Sequence, residues 1–458
     1  MGNNQQNVGA GYQRELIKRR GSEIPDAERV QTLTSSLYQK AKQEKQFRFY
    51  VLYDKMFIPY MLREAFQRVK RNGGSAGVDG KSIADIESIG VEHYLKELGE
   101  ELRKRTYKPS AVKRVMIPKA DGGERPLGIP TIKDRIAQTV CKMILEPIFE
   151  ADFEDSSFGF RPDRKAQDAI ASIKEHLLAG KTEILDADLS KFFDTIPHDK
   201  LMLTLQERIS DPRILKLIFM WLKAPVQEKS GMSGGRKNNK GTPQGGVISP
   251  LLANIYLHLV DRIVNNPRST FYKMGVKMVR YADDFVLMGK HIGDEVINKL
   301  QSLLTRMGLT LNETKTKRIN AKEESFNFLG FTIRYSKDLF IPNKHYWEIK
   351  PSVQSEKKLR EKIKVYLAPR NHLQAVAITK GLNTIITGWL NYFDYVGLSY
   401  TAMSKRKLRF YLSKRIYLNH CKKSQRSCKI KGQSAYEEMV RTHGLIDPTK
   451  YFFRPNKR

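Results

Sequence analysis

The stretch Arg280-Tyr281-Ala282-Asp283-Asp284-Phe285 sets two adjacent carboxylates between short apolar runs, Met278-Val279 before it and Val286-Leu287-Met288 after it. Apolar runs of that length around a polar interruption predict strand, tight turn, strand, with the aspartates at or beside the turn. Neighbouring side chains on a strand point to opposite faces, so both carboxylates converge only where the backbone bends. Two carboxylates that close repel each other, and a divalent cation would relieve the repulsion. A polar hairpin turn, in which Asp satisfies local hydrogen bonds, fits the same six residues. The rest of the chain has to decide between the two.

Its 458 residues allow two or three domains and a sizeable core. With 81 Lys and Arg against 49 Asp and Glu, the formal charge is +32, in a chain that is nevertheless 40% hydrophobic. That is the balance of a folded protein with a polyanionic partner, nucleic acid foremost. No apolar run is long enough to span a bilayer. The first residues lack the pattern of a secretory signal, and Gln6 stands where N-acylation requires Ser or Thr. Cys141, Cys421 and Cys428 cannot build a disulfide framework or a four-thiolate zinc site, and read as reduced thiols of a cytoplasmic protein.

The residues before about 26 form a polar, Asn/Gln-rich tail. A helical pattern follows from Asp26, with Val30, Leu33, Leu37 and Tyr38 at three- and four-residue steps. Phe47-Arg48-Phe49-Tyr50 suits either core packing, the expectation here, or stacking on bases. The glycine-rich loop Asn72 to Gly80 lacks the Lys-Ser/Thr ending of a P-loop. Two extended runs around Gly122-Gly123 predict a hairpin with Lys119 and Arg125 bordering its turn, either a clamp for a triphosphate or a solvated charged turn.

Glu183 to Leu189 alternates as a strand. Leu185, Ala187 and Leu189 share one face; Ile184, Asp186 and Asp188 share the other. Asp is disfavoured in strands, so a face carrying two of them lines a wet or metal-bearing cleft. Lys240 to Pro250 is a turn-rich loop whose glycines admit close approach of a ligand, ahead of an apolar helix from Leu251 to Leu259. A helix over about Gly293 to Met307, a short strand and turn at Leu309 to Lys315 and an alternating strand at Phe326 to Ile333 follow.

From about residue 340 strand signals fade. Leu359, Ile363, Tyr366 and Leu367 make one helix face among lysines and arginines; a second helix contains Gly388 to Phe393; a third spans Lys405 to Lys423. Their apolar stripes read as core and their basic faces as phosphate-backbone surface. The segment after about Gln425 reads as a flexible, basic nucleic-acid-binding extension.

Asp188, Asp283 and Asp284 are the donor set that two-metal nucleotidyl transfer needs, since hard cations take carboxylate oxygens. Lys119 and Arg125 would add positive charge from the triphosphate side. Asp188-Leu189-Ser190-Lys191-Phe192-Phe193-Asp194, Pro243-Gln244-Gly245-Gly246 and Tyr281-Ala282-Asp283-Asp284 occur in the order and spacing of reverse transcriptases. Ser157-Phe158-Gly159-Phe160-Arg161-Pro162 and Phe328-Leu329-Gly330-Phe331 narrow the likeness. From Leu37 to about Lys423 the chain resembles a bacterial group II intron-encoded protein, a reverse transcriptase with maturase function.

The resemblance implies an α+β right-hand polymerase. Fingers and palm, with a small antiparallel sheet, would span 48–340, and an α-helical thumb or maturase (X) domain 341–423. An N-terminal extension with a helix (1–47) and a basic, DNA-binding C-terminal extension (424–458) would flank them. It assigns catalysis to Asp188 rather than Asp186, with Asp283, Asp284 and Lys315, the last as an acid for pyrophosphate. Asp188, Leu189, Asp283 and Asp284 become the metal positions, for two Mg2+ with Mn2+ able to substitute. Lys119 and Arg125 meet the triphosphate, Gln244 the incoming nucleotide, and Phe193 the gate against a ribose 2′-hydroxyl.

Expected partners are group II intron RNA, an RNA template–DNA primer duplex, deoxynucleoside triphosphates and target DNA, in the bacterial cytoplasm or on its nucleoid. Three cysteines are too few for the Cys/His endonuclease module of many relatives, which implies the form without it, primed by a pre-existing end such as one at a replication fork or by another nuclease. Rival readings are a splicing-only maturase, an RNA-templated RNA polymerase, which Phe193 disfavours, and a repurposed group II-like reverse transcriptase serving DNA repair or phage defence.

Overall fold

The computed structural model describes residues 24–118, 123–228, 231–235, 238–338, 341–421 and 434–452. Lys119, expected at the fingertip, lies outside them.

Eleven named strands occur among the described residues: β1 (Val112–Pro118), β2 (Glu124–Ile129), β3 (Glu183–Ala187), β4 (Pro225–Glu228), β5 (Gly231–Gly234), β6 (Lys277–Tyr281), β7 (Asp284–Gly289), β8 (Lys317–Asn320), β9 (Phe326–Phe328), β10 (Phe331–Lys337) and β11 (His345–Pro351). They form three four- or three-stranded sheets, ordered β2-β1-β4-β5, β6-β7-β3-β8 and β11-β10-β9. The first carries the hairpin expected around Gly122-Gly123, with Ile117 opposite Arg125. The second is antiparallel throughout. With the helices described below, the whole is the α+β right-hand polymerase architecture.

In the second sheet Asp186 pairs with Val286 and Ala187 with Phe285. Carried past the strand ends, that register sets Asp188 beside Asp284 and Leu189 beside Asp283. Because strand side chains alternate, Asp284, Val286 and Met288 share the face that carries Ile184, Asp186 and Asp188. The lower part of this face is apolar and buried, and its upper end is acidic. Charge meets the cleft only where the sheet ends.

Two hydrophobic cores cover the sheet. One face, through Leu185, Ala187, Phe285 and Leu287, packs into a core shared with helices Asp26–Gln43, Pro59–Asn72, Val91–Lys104, Ile132–Glu150 and Ser249–Asn265. The other, through Ile184, Val279, Val286 and Met288, joins β9–β11 and helices Ala166–Leu178, Val353–Leu367, Ala375–Phe393 and Ala402–Cys421 in a second core. Helix Asp294–Met307 shows how such faces arise: Val296, Leu300, Leu303, Leu304 and Met307 are its buried residues, at steps of three, four and one. Each contributes roughly 1.5–3 kcal/mol by leaving water.

Three expectations change. Strand character persists beyond residue 340, because Trp347 and Ile349 of β11 alternate inward against β10 and the first helix of the thumb region begins only at Val353. Leu309 to Lys315 is not a strand: Leu311 makes a single bridge to Leu189, and Asn312 then turns the chain so that β8 starts at Lys317. The segment after Gln425 is not wholly an extension either. Helix Ala435–His443, opened by a Ser434/Glu437 capping box, buries Ala435, Tyr436 and Met439 in the second core. Of the aromatic cluster, Phe49 is core while Tyr50 is exposed.

Candidate active site

Tyr281 and Asp284 pair across a two-residue turn made of Ala282 and Asp283. Ala282 has a left-handed φ of 59°, which costs a residue with a Cβ about 1–2 kcal/mol. A buried brace holds it there. Arg280 is 0% exposed, and its Nη1 donates to the Ala282 carbonyl and to Asn254 Oδ1, both at 2.9 Å. Its Nε and Nη2 form a fork onto Asp261, also 0% exposed, at 2.8 and 2.5 Å. Asn254 Nδ2 in turn donates to the Gly159 carbonyl at 2.7 Å. Phe158 N–H and Arg280 N–H bond to the carbonyls of Arg280 and Ser156, so the Ser157–Arg161 loop lies along β6. Gly159 is required there, because a Cβ would stand 2.2 Å from the Ala282 nitrogen. Arg161 secures the loop through Glu150 and the carbonyls of Glu154 and Ser157.

Sequence reasoning gave the Ser157–Pro162 motif only as a family mark and missed Asp261 and Asn254. Both lie on the buried side of helix Ser249–Asn265, which also carries His258 and Arg262, so neither stands out from the helix's own pattern.

The acidic end of the sheet is electrostatically strained. Burial first, then Asp283, Asp188 and Asp186, pushes the Asp284 carboxyl up to about 6, against a lowering by Lys315. Part of Asp284 still reaches solvent, while its carboxyl is crowded by these neighbours. Burial and the Asp188 charge likewise push Asp186 up to about 6. Burial raises Asp283, with Arg125 opposing. Asp188 is held by Lys315 Nζ at 3.2 Å and Asn312 Nδ2 at 3.1 Å.

Among the described residues no three His, Cys, Asp or Glu side chains are gathered closely enough to hold a metal ion as they stand. The donor set nevertheless fits a hard divalent cation: crowded carboxylates that repel one another, with Lys315 the one cation paired to Asp188 among the described residues. The Leu189 main chain fits as well. Ser190 N–H and the Asp188 carbonyl bond to Thr310 and Asn312, so the carbonyl of Leu189 between them points away from that partner, toward the Asp283 side.

Above the carboxylates, Arg125 Nε donates to Gln244 Oε1 at 2.9 Å. The fingertip hairpin thus touches the Pro243–Gly246 loop, whose Gln244 carbonyl accepts from Gly128 N–H at 2.5 Å. Gly245, at φ 106°, fits because a Cβ would lie 2.2 Å from the Gly128 carbonyl. Phe193 sits on the short helix Phe192–Thr195, 7% exposed, edge-on to Phe192, with its carbonyl bonded to Thr242 N–H. Lys315 is 64% exposed beside Asp188. The structure thus gathers Asp188, Asp283, Asp284 and Lys315, with Arg125 near Asp283 and bonded to Gln244, while Phe193 is joined to the Gln244 loop through the Thr242 backbone.

A small antiparallel palm ending in clustered carboxylates, fingers folded over it and helices packed behind it define a template-directed polymerase. Residues 117–333 match the family described as reverse transcriptase (RNA-dependent DNA polymerase), and residues 356–432 match the group II intron, maturase-specific domain. The chain is 36% identical over 312 residues to protein YkfC of Escherichia coli K12, covering 59% of this chain and 80% of YkfC. It is 38% identical over 215 residues to the group II intron-encoded protein LtrA of Lactococcus lactis subsp. cremoris, covering 46% of this chain and 35% of LtrA. It is 30% identical over 322 residues to the putative COX1/OXI3 intron 1 protein of Saccharomyces cerevisiae, covering 60% of this chain and 38% of that protein. The chain thus spans little more than a third of either of the last two. It belongs to the group II intron-encoded reverse transcriptases, RNA-directed DNA polymerases that carry a maturase domain, and that family depends on divalent metal. Among the described residues no helix is long and apolar enough to cross a membrane.

Proposed function

We propose that this chain copies RNA into DNA at the Asp188–Asp283–Asp284 cleft and that its helical region binds a group II intron RNA, assisting splicing and retrohoming into target DNA. The observation that carries the reading is the register of β3 on β7, which, continued past the strand ends, runs Asp188 beside Asp284, with Arg125 near Asp283 and bonded to Gln244. Asp188, the main chain of Leu189, Asp283 and Asp284 would hold two magnesium ions, which supply activation of a primer 3′-hydroxyl and neutralise charge on the departing pyrophosphate.

The chain's own groups do the rest. Arg125, with Lys119, gives the triphosphate a cationic clamp. Gln244 fixes the incoming nucleotide, and its bond to Arg125 holds both in place before substrate arrives. Phe193 fills the space a ribose 2′-hydroxyl would need. Lys315, once released from its ion pair with Asp188, gives a proton to the leaving pyrophosphate. The basic faces of the helices after Val353 supply phosphate contacts to the RNA template–DNA primer duplex and to the intron RNA.

The test is primer extension on an RNA template with magnesium, deoxynucleotides compared with ribonucleotides, beside Asp283→Ala. Deoxynucleotide incorporation by the wild type that is lost in the variant supports the reading. No synthesis by either protein, with intron RNA still bound tightly, makes the chain a splicing cofactor instead.

A further inference from the structure

We propose that a cavity in the helical region is a binding site for an unpaired RNA base and its flanking phosphates. The cavity, about 420 Å³, lies between helices Val353–Leu367, Ala375–Phe393 and Ala402–Cys421. This inference rests on the intron-RNA reading above and names the part of the RNA that is recognised.

Leu359, Trp389 and Leu408, all buried, give the cavity an apolar floor. Its rim carries Lys407, Lys414 and Arg415, none of which has an acidic partner within ion-pair distance among the described residues. The one acid lining it, Glu356, is already engaged by Arg360 and by the Ser404 hydroxyl at 2.7 Å. A rim of cations without acidic partners suits an anionic, acceptor-rich ligand.

The outer side of helix Ala402–Cys421 makes the same demand. Leu408, Leu412 and Ile416 turn inward to the core. On the opposite side Met403, Lys407, Phe410, Lys414 and Tyr417 follow at steps of three and four, and Phe410, at the cavity, is 75% exposed. Bases stack on exposed aromatic rings, and here the ring stands between two of the rim cations. A paired duplex offers phosphates to the cations but keeps its bases inside its own stack. Only a base outside a helix reaches an apolar floor behind a cationic rim.

The test uses the full chain and two RNA probes at one salt concentration. One is a hairpin with 2-aminopurine at an unpaired loop position, the other a fully paired duplex of equal length. The wild type is expected to bind the hairpin more tightly and to change the 2-aminopurine fluorescence. Phe410→Ala should weaken hairpin binding about tenfold while duplex binding changes less than twofold, and Phe410→Trp should restore it. Phe410 is exposed, so an unchanged Tm is expected to accompany the loss. Equal losses on hairpin and duplex would overturn the proposal and make this face a duplex grip. Tight hairpin binding without fluorescence change or loss in Phe410→Ala would overturn it while leaving the intron-RNA reading intact. Failure of the wild type to bind either RNA would remove that underlying reading as well.

Discussion

Asp261→Asn tests whether the Arg280 brace sets the geometry of the catalytic turn. The substitution keeps the side chain's size and one hydrogen-bond acceptor but removes the charge opposite a guanidinium that is 0% exposed. Breaking a buried pair by neutralising one partner costs about 3–5 kcal/mol, because the remaining charge is left without compensation. Arg280 also donates to the Ala282 carbonyl and to Asn254, so the orphaned guanidinium has two further ties to disturb. A shift of the turn by about 1 Å is enough to lower the rate on the order of 10²-fold. Equilibrium urea unfolding measures the first effect. Single-turnover primer extension, at a temperature where the variant stays folded, measures the second. Asn254→Ala removes the same brace from its other end, and the double variant should lose less than the sum of the two. A loss below about 1 kcal/mol, or an unchanged single-turnover rate, would refute the claim that this network positions Asp283 and Asp284.

Three other outcomes are expected. The Asp284 carboxyl, pushed up to about 6 in the folded chain from an ordinary 3.8, favours folding fully only below about pH 4, and that contribution is lost as pH rises through about 6. Asp284→Asn should therefore raise the Tm of metal-free protein at pH 8 and change it little at pH 4, and an unchanged Tm at pH 8 in EDTA would count against the crowding. Gly159→Ala, whose Cβ would meet the Ala282 nitrogen at 2.2 Å, should displace the turn and reduce single-turnover synthesis by at least tenfold, with an undiminished rate counting against the close approach. Phe193→Val should raise ribonucleotide incorporation relative to deoxynucleotide by an order of magnitude or more, and should lower stability too, since the ring is largely buried. An unaltered ratio in a competition assay would remove Phe193 from the gate.

What was legible in the sequence follows from periodicity. Alternation alone put Asp186 and Asp188 on one face of a strand, and the turn pattern put Asp283 and Asp284 at a bend. The meeting of Asp188 with Asp284 required a register between segments about a hundred residues apart, which the motif order supplied through resemblance. Asp261 and Asn254 were not legible, because their meaning depends on Arg280, a partner on another element. The helix after Ser434 was hidden by its basic surroundings, since three buried residues in nine make too short a pattern to stand out. β11 was hidden because the neighbouring helical periodicity outweighed one short alternating run.

The β9–β10 turn, Leu329-Gly330, is tied to the helices beyond it. The Gly330 carbonyl accepts from Ser352 N–H and the Ser355 hydroxyl, the Leu329 carbonyl accepts from the Tyr392 hydroxyl at 3.0 Å, and Gln167 bonds to the Tyr392 carbonyl. Together with the shared second core, these ties make the palm sheet and the helices after Val353 one packed unit. A chain shortened near residue 340 would keep Asp188, Asp283 and Asp284, yet would leave Ile184, Val279, Val286 and Met288 without the helices that cover them. The sheet that bears the carboxylates is therefore folded in part by residues far beyond the last of its own strands.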